Sequence, residues 1–395
     1  MGWASCSDED AFSSSDSGSF NSSSTDHSDI AIGCLKKSYD ETFAAFEDNK
    51  IEFGRRPTIK DFNDAECLAN FRFRKQELFK LADMLYPRLL PFLSFANSGC
   101  VIVDNRYTSP YETCLLVLLF RLSYPHRISP DMEKFFGMRK SHISATLITF
   151  GESMCCLSKP YLTNLSIWQQ RIPLYSQLIR SKLGVLDARN IWGFLDATIR
   201  PTCRPLYYQQ TIYTRYKRCH GLKFQSIVTP DGMIASLLGP FSSKTHDARI
   251  FRESGLFDRL REMMPVGVGE AVYCLYADSA YALSAWIMHG YINPQANSPE
   301  ADFNVRMSSA RIAVEWGYKN VTQLWQFLDF RRQMMVFKTP VAQLYIVAAF
   351  LTNLRCCFYG NQQSDYFGAT RMSVEEYLSL VDGVGQQDPQ QGAGI

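Results

Sequence analysis

Three aspartates and one glutamate stand where their carboxylates could share one task. Asp196 closes the short apolar run 190–195, and Asp278 closes a second, 272–277. Each run reads as a buried strand, and ligands of mixed α/β sheets collect outside the carboxyl ends of such strands. Asp247 opens a helix-like segment, and Glu315 lies on a later helical stretch, 311–318; the successive intervals are 51, 31 and 37 residues. Carboxylates that converge repel one another unless a cation lies among them. Hard oxygen ligands with no Cys or His cluster nearby favour Mg²⁺ or Mn²⁺. Two such ions about 3.5 to 4 Å apart can activate a water on one side of a phosphodiester and stabilise the leaving oxygen on the other. Taken singly, each acid also has a plainer reading: an Asp after a strand caps helices or forms turns, and a mid-helix Glu is usually solvated.

A second group of residues has the chemistry of a polyanion contact. Tyr213, Arg215, Tyr216, Lys217, Arg218, His220 and Lys223 interleave aromatic and basic side chains. Bases of this kind neutralise phosphates and aromatics stack on unpaired nucleobases, although a charged strand edge has the same composition. Arg331, Arg332 and Lys338 form a weaker basic group. Upstream, the short helical stretch 130–138 runs through Gly137 into a second helical stretch that opens with Arg139, Lys140, Ser141 and His142. That is the pattern of a helix-turn-helix, whose second helix presents its first residues to bases; Arg139, Lys140 and His142 are the candidates, and an αα-hairpin that merely packs has the same periodicity.

The elements that must position these residues fall into two grammars. From 61 to 157 the apolar spacing is three and four, predicting an all-α region, with one helix covering 71–81. From 186 to 360 short apolar runs alternate with helical text. Residues 222–229 and 233–238 flank Pro230-Asp231-Gly232, a hairpin turn, so the order strand, hairpin, helix, strand, helix predicts a mixed sheet covered by helices. Residues 1–35 hold eleven serines among scattered acids and are expected to be disordered, as is the Gly- and Gln-rich tail 382–395.

Charge is unevenly placed along the 395 residues. Residues 1–50 carry ten acids and three bases, while residues 51–395 carry 38 bases and 29 acids, a net of +9. A mildly basic folded part behind an acidic leader permits a nucleic-acid partner without establishing one. No apolar run reaches the roughly 18 to 20 residues that span a bilayer, and the longest candidate, 341–350, continues into Asn353 and Arg355 and reads as a buried helix, so no membrane partner is expected. Twelve cysteines without a C-x-x-C pair read as free thiols in a reducing compartment.

The words around the acids carry a resemblance. Gly193-Phe194-Leu195-Asp196-Ala197-Thr198, Tyr216-Lys217-Arg218-Cys219-His220-Gly221, Gly239-Pro240 leading to His246-Asp247-Ala248-Arg249, Ala277-Asp278-Ser279-Ala280-Tyr281, Phe303-Asn304 and 311–315 are similar to the ordered motifs of PIF/Harbinger-type transposases and the nucleases derived from them. The resemblance covers about 65–365 and is strongest over 190–335. It implies an α/β, RNase H-like DDE core at 186–360 behind the all-α, helix-turn-helix-like region, and DNA cleavage with a divalent cation. Asp196, Asp278 and Glu315 would be its catalytic triad, with Asp247 as a fourth metal-binding carboxylate. DNA would be the substrate, held also by Arg215, Lys217, Arg218 and Lys223. It further implies a nuclear location, a separate Myb-like DNA-binding protein as partner and a possible homo-oligomer; no strong Lys/Arg-rich localisation run is present. Ala197 and Ala280 stand where many members use Gly, and Trp316-Gly317-Tyr318 differs from the commoner text after the Glu. A descendant that keeps the fold, binds DNA or protein and no longer cuts is the alternative; the intact acidic quartet favours the enzyme.

Overall fold

The computed structural model describes residues 56–184, 190–265 and 272–382. The expected disordered leader lies outside them, as does the tail apart from Asp382. The described residues lie within one unit.

Its N-terminal part is mostly helical: α1 (Asp64–Phe71), α2 (Lys75–Leu89), α3 (Tyr111–Ser123), α4 (Glu133–Phe136), α5 (Lys140–Thr163) and α6 (Ile172–Leu183). Two features depart from the all-α expectation. The helix predicted over 71–81 is two helices, because Arg72 takes a left-handed conformation with φ 69° and closes α1. Its guanidinium offsets that strain by donating to the Ser123 and Leu324 carbonyls at 2.9 and 3.0 Å, which ties three segments together. Between α2 and α3, Val101–Asp104 (β1) and Tyr107–Ser109 (β2) form an antiparallel hairpin. The run Val101-Ile102-Val103 is β-branched, and Val101 and Val103 turn into the core, so strand packing outweighs the helical text on either side.

The six-stranded sheet is built from β3 (Asn190–Pro201), β4 (Tyr213–Thr214), β5 (Cys219–Val228), β6 (Ile234–Ser242), β7 (Tyr273–Tyr276) and β8 (Ile287–Met288). β3, β5 and β6 are antiparallel neighbours, and the expected hairpin turn at Pro230-Asp231-Gly232 joins β5 to β6, with Gly232 at φ 78°. β7 lies parallel to β3 on its other side, and β8 parallel to β7. The strand order is thus β6-β5-β3-β7-β8, with β4 paired to the start of β5.

The helices α7 (Asp247–Glu253) and α8 (Leu256–Met263) lie between β6 and β7, followed after β8 by α9 (Pro299–Leu324), α10 (Val341–Tyr359), α11 (Gln362–Phe367) and α12 (Val374–Asp382). The apolar helix α10 is, among the described residues, the one long and apolar enough to cross a membrane, yet it is mostly buried against α5 and β6, as the sequence predicts. Side chains from α2, α3, α5, β3, β5, β6 and α10 share one hydrophobic core. Side chains from the expected helical region at 61–157 and from the region at 186–360 thus take part in a common cluster. A second cluster, with Phe194, Val228, Tyr276, Met307, Ala310 and Tyr318, seats α9 on the sheet.

Candidate active site

The central strands bring Asp196 and Asp278 side by side. Parallel pairing of β3 with β7 ends at Phe194 opposite Tyr276, and two residues further along each strand stand Asp196 and Asp278. The Ala277 N–H still bonds the Met288 carbonyl of β8, and the strand then stops because the Tyr281 N–H returns to the Asp278 carbonyl at 3.0 Å, so Asp278 opens a turn. β3 continues, with Asp196 opposite Ser226 of β5. One cation spans the two acids: Arg311 Nη2 of α9 lies 3.1 Å from Asp278 Oδ2 and 3.8 Å from Asp196 Oδ1.

Asp247, the first residue of α7 after the cap residue His246, faces the same region from the other side. Its Oδ1 lies 2.6 Å from Lys223 Nζ, an ion pair off the angle of a hydrogen bond, and the same ammonium donates to the Thr245 carbonyl at 2.9 Å. Lys223 therefore holds both the carboxylate and the loop that presents it. Gly239 permits the close approach of β6 that frames this loop: at φ 147° a Cβ there would meet the Lys223 carbonyl at 2.9 Å and the Phe224 ring at 2.7 Å.

The electrostatics separate the two central aspartates. Burial pushes the Asp196 carboxyl up to about 6, helped by the negative charges of Asp247 and Asp278 and opposed by the Ala197 N–H and Arg311. Burial acts on Asp278 in the same sense, but the Arg311 hydrogen bond and charge, with the Ser279 hydroxyl, outweigh it and hold Asp278 below the usual carboxylate range. Tyr281 experiences all three aspartates; burial and their charges push its phenol far up, and its hydroxyl accepts from Gln225 Nε2 at 3.0 Å. A buried neutral phenol among three carboxylates keeps the wall of the site uncharged.

Glu315 lies on the α9 stripe that faces these acids. Arg311 precedes it by one turn and Tyr318 follows three residues later; the first touches Asp196 and Asp278, and the second pairs with the hydroxyl of Ser226, directly across the sheet from Asp196. The Glu315 side chain is exposed, and among the described residues no hydrogen bond or ion pair joins it to the aspartates. Nor do any three His, Cys, Asp or Glu side chains among the described residues form a cluster that could hold a metal ion as they stand. What the carboxylates do hold is cationic. Arg311 fills the space between Asp196 and Asp278, so the oxygen donors suit a hard cation in chemistry, with two ligands assembled and Asp247 engaged by Lys223.

The other sequence candidates lie elsewhere. Arg215, Lys217 and Arg218 are exposed in the loop joining β4 to β5, and Arg218 is five residues from Lys223 along the chain, at most roughly 17 Å at strand spacing. Arg139 is the cap residue of α5, and Lys140, its first residue, is exposed and gives its backbone N–H to Glu133. His142 does not read bases in this structure: it is buried, its ring stacks on Tyr107 at 4.6 Å, and its Nε2 shares a hydrogen bond with Ser109. The hairpin β1–β2, which sequence periodicity missed, is what covers it. Arg311 and Tyr281 are the site residues to which sequence reasoning assigned no role. Arg311 stands four residues before Glu315 on a predicted helix, a signal that could have placed a cation beside the acids.

Residues 195–353, roughly two-fifths of the chain, match the family model described as DDE superfamily endonuclease. The matched segment contains Asp196, Asp247, Asp278, Arg311 and Glu315 and supports a DDE transposase-like nuclease. No curated protein and no solved structure matches the chain.

Proposed function

We propose that this protein is a divalent-metal-dependent DNA endonuclease of the Harbinger type, with Asp196, Asp278 and Glu315 as its catalytic carboxylates and Asp247 as an accessory one. The observation that carries the reading is the pair Asp196 and Asp278 on adjoining parallel strands, close enough to share one guanidinium. The strand sequence, three antiparallel strands followed by two parallel ones, supports an RNase H-like core. When bound, Mg²⁺ or Mn²⁺ would polarise the phosphodiester and lower the pKa of an attacking water. Asp196 and Asp278 would supply the central oxygens for it and Glu315 a third from α9, one turn beyond Arg311. Arg311 must turn aside for this to happen, and the charge nearest to meet it is that of the DNA phosphate. Lys217, Arg218 and Arg215 then hold flanking phosphates, which position the duplex without reading its sequence, and Arg139 and Lys140 offer a further backbone contact. The resemblance extends the reading to a nuclear protein, to strand transfer after cleavage, and to a Myb-like partner or a second copy that supplies selectivity.

The second reading, a DNA-binding descendant that no longer cuts, is favoured by one observation: Arg311 pairs with both Asp196 and Asp278, and Lys223 pairs with Asp247. A plasmid-nicking assay with Mg²⁺ or Mn²⁺, wild type beside Asp196→Ala, separates the two. Nicking that requires metal and is lost in the variant supports the enzyme; equal, negligible nicking by both supports the binding protein.

A further inference from the structure

The loop that follows β3 and the loop that precedes α10 meet on the surface. The Cys203 N–H donates to the Met334 carbonyl at 2.9 Å, and the rings of Tyr208 and Phe337 lie 6.4 Å apart. Here the chain exposes apolar surface that a folded protein normally hides: Leu206 is 78% exposed, Tyr207 66%, Tyr208 75% and Phe337 72%. Tyr208 and Phe337 also hold left-handed backbone conformations, at φ 56° and 79°, which bulky side chains seldom adopt. The 202–212 loop is fastened at its far end, where the Ser243 hydroxyl donates to the Ile212 carbonyl at 2.7 Å, so the rings are presented by a held backbone rather than a free one.

The charge carried by the two loops themselves has a single sign, although the exposed Asp329 stands two residues before Arg331. Residues 201–221 and 330–340 contain seven bases and no Asp or Glu, against a net of +9 for all of 51–395. Arg204, Arg331, Arg332 and Lys338 are exposed beside the aromatics. A second copy of the same face is a poor occupant, because a two-fold contact would set this basic surface against itself. A DNA duplex would satisfy the bases and leave the rings idle, since it turns phosphates outward and keeps its bases stacked inside. Unpaired nucleotides satisfy both, with bases stacking on the rings and phosphates meeting the guanidinium and ammonium groups.

We propose that this surface is a binding site for unpaired nucleotides, a platform distinct from the carboxylates. Arg204 lies eight residues beyond Asp196, at most about 26 Å along the strand direction. The platform would therefore hold a splayed or freed strand flanking the scissile phosphate. The inference rests on the DNA reading above but not on cleavage, and its test is run without metal.

The full chain is titrated in EDTA into a fluorescein-labelled oligothymidylate and into a labelled duplex of the same length, with fluorescence anisotropy as the readout. Wild type should bind the single strand more tightly than the duplex. Tyr208→Ala with Phe337→Ala should weaken single-strand binding by roughly 5- to 100-fold per ring while leaving duplex binding nearly unchanged. Tyr208→Gly adds a control against a purely structural role: relief of the left-handed backbone should raise the melting temperature while single-strand affinity falls. The proposal is overturned if wild type prefers duplex, if the double variant weakens both ligands equally or neither, or if it dissolves a dimer without affecting either ligand. Loss of nicking with single-strand binding intact would count against the endonuclease alone.

Discussion

Asp196 is the central carboxylate of the proposed site, and burial in the fold makes it a liability. Its carboxyl is pushed up to about 6 from an ordinary 3.8, chiefly by burial. For a raised carboxyl, the native state keeps a proton that the unfolded chain gives up, so stability is full below pH 3.8 and is lost as pH rises through about 6. In metal-free buffer at pH 7.5, Asp196→Asn should therefore raise unfolding free energy by ~1–3 kcal/mol while abolishing nicking. A destabilised Asn variant in chemical denaturation would contradict this account. His142 has the opposite sign. Burial first, and the Arg56 charge second, lower its imidazole to about 4. A depressed His leaves the native state short of a proton that the unfolded chain binds below its ordinary 6.5. Stability present above pH 6.5 is then lost between there and pH 4, with a slope approaching about 1.4 kcal/mol per pH unit. Thermal melts from pH 7 to pH 4 should show His142→Gln flattening that slope, and an unchanged slope would mean that other groups carry the acid response.

At the scale of elements, what was legible in the sequence follows from how locally it is encoded. The two strands that lead to the aspartates were readable because each begins as a short apolar run, but the strand end expected at Asp196 is not met, since pairing with β5 carries β3 on to Pro201; the β5–β6 turn was readable because Pro-Asp-Gly has few other conformations. The break at Arg72 was not readable, since its left-handed turn is held by carbonyls of Ser123 and Leu324, far away in sequence. Nor was the inward turn of His142, which depends on a hairpin of seemingly ordinary linker text. Glu315 was placed on its helix by pattern, but only the packing of Arg311 and Tyr318 shows which stripe it shares. The same non-local logic governs the sheet's outer strand. Buried Asn353 of α10 accepts from the Ile234 N–H at 2.8 Å, donates to the Ile234 carbonyl at 3.0 Å and donates to the Tyr377 hydroxyl at 2.9 Å. Asn353→Ala would leave both backbone groups of β6 buried without partners. It should cost ~2–4 kcal/mol in chemical denaturation, and a loss under ~1 kcal/mol would show that water takes the amide's place.

For the whole molecule, the distribution of charge decides how DNA is held. The basic loops at 201–221 and 330–340 lie before Lys223 and after Asp247 along the sequence, and Lys223 is itself committed to an ion pair. Phosphate contacts from Arg215, Lys217 and Arg218 would convey position and no sequence, and with His142 turned inward the opening of α5 keeps Arg139 and Lys140, proposed above as backbone contacts. The purified chain should therefore bind duplex DNA weakly, with affinity falling steeply as salt rises and little difference between sequences. Each of Lys217→Ala and Arg218→Ala should lower the slope of log K against log salt by about 1, whatever the sequence of the duplex. The leader adds a term of opposite sign: residues 1–50 carry ten acids and three bases, so removing residues 1–35 should tighten duplex binding at low salt and change little at high salt, where the repulsion is screened. Selectivity would then come from outside the chain, through a second copy that pairs two α5 openings or through a separate DNA-reading protein. Gel-shift titrations of the full chain at two salt concentrations decide this: nanomolar, sequence-selective binding at physiological salt by the chain alone would remove the need for any partner.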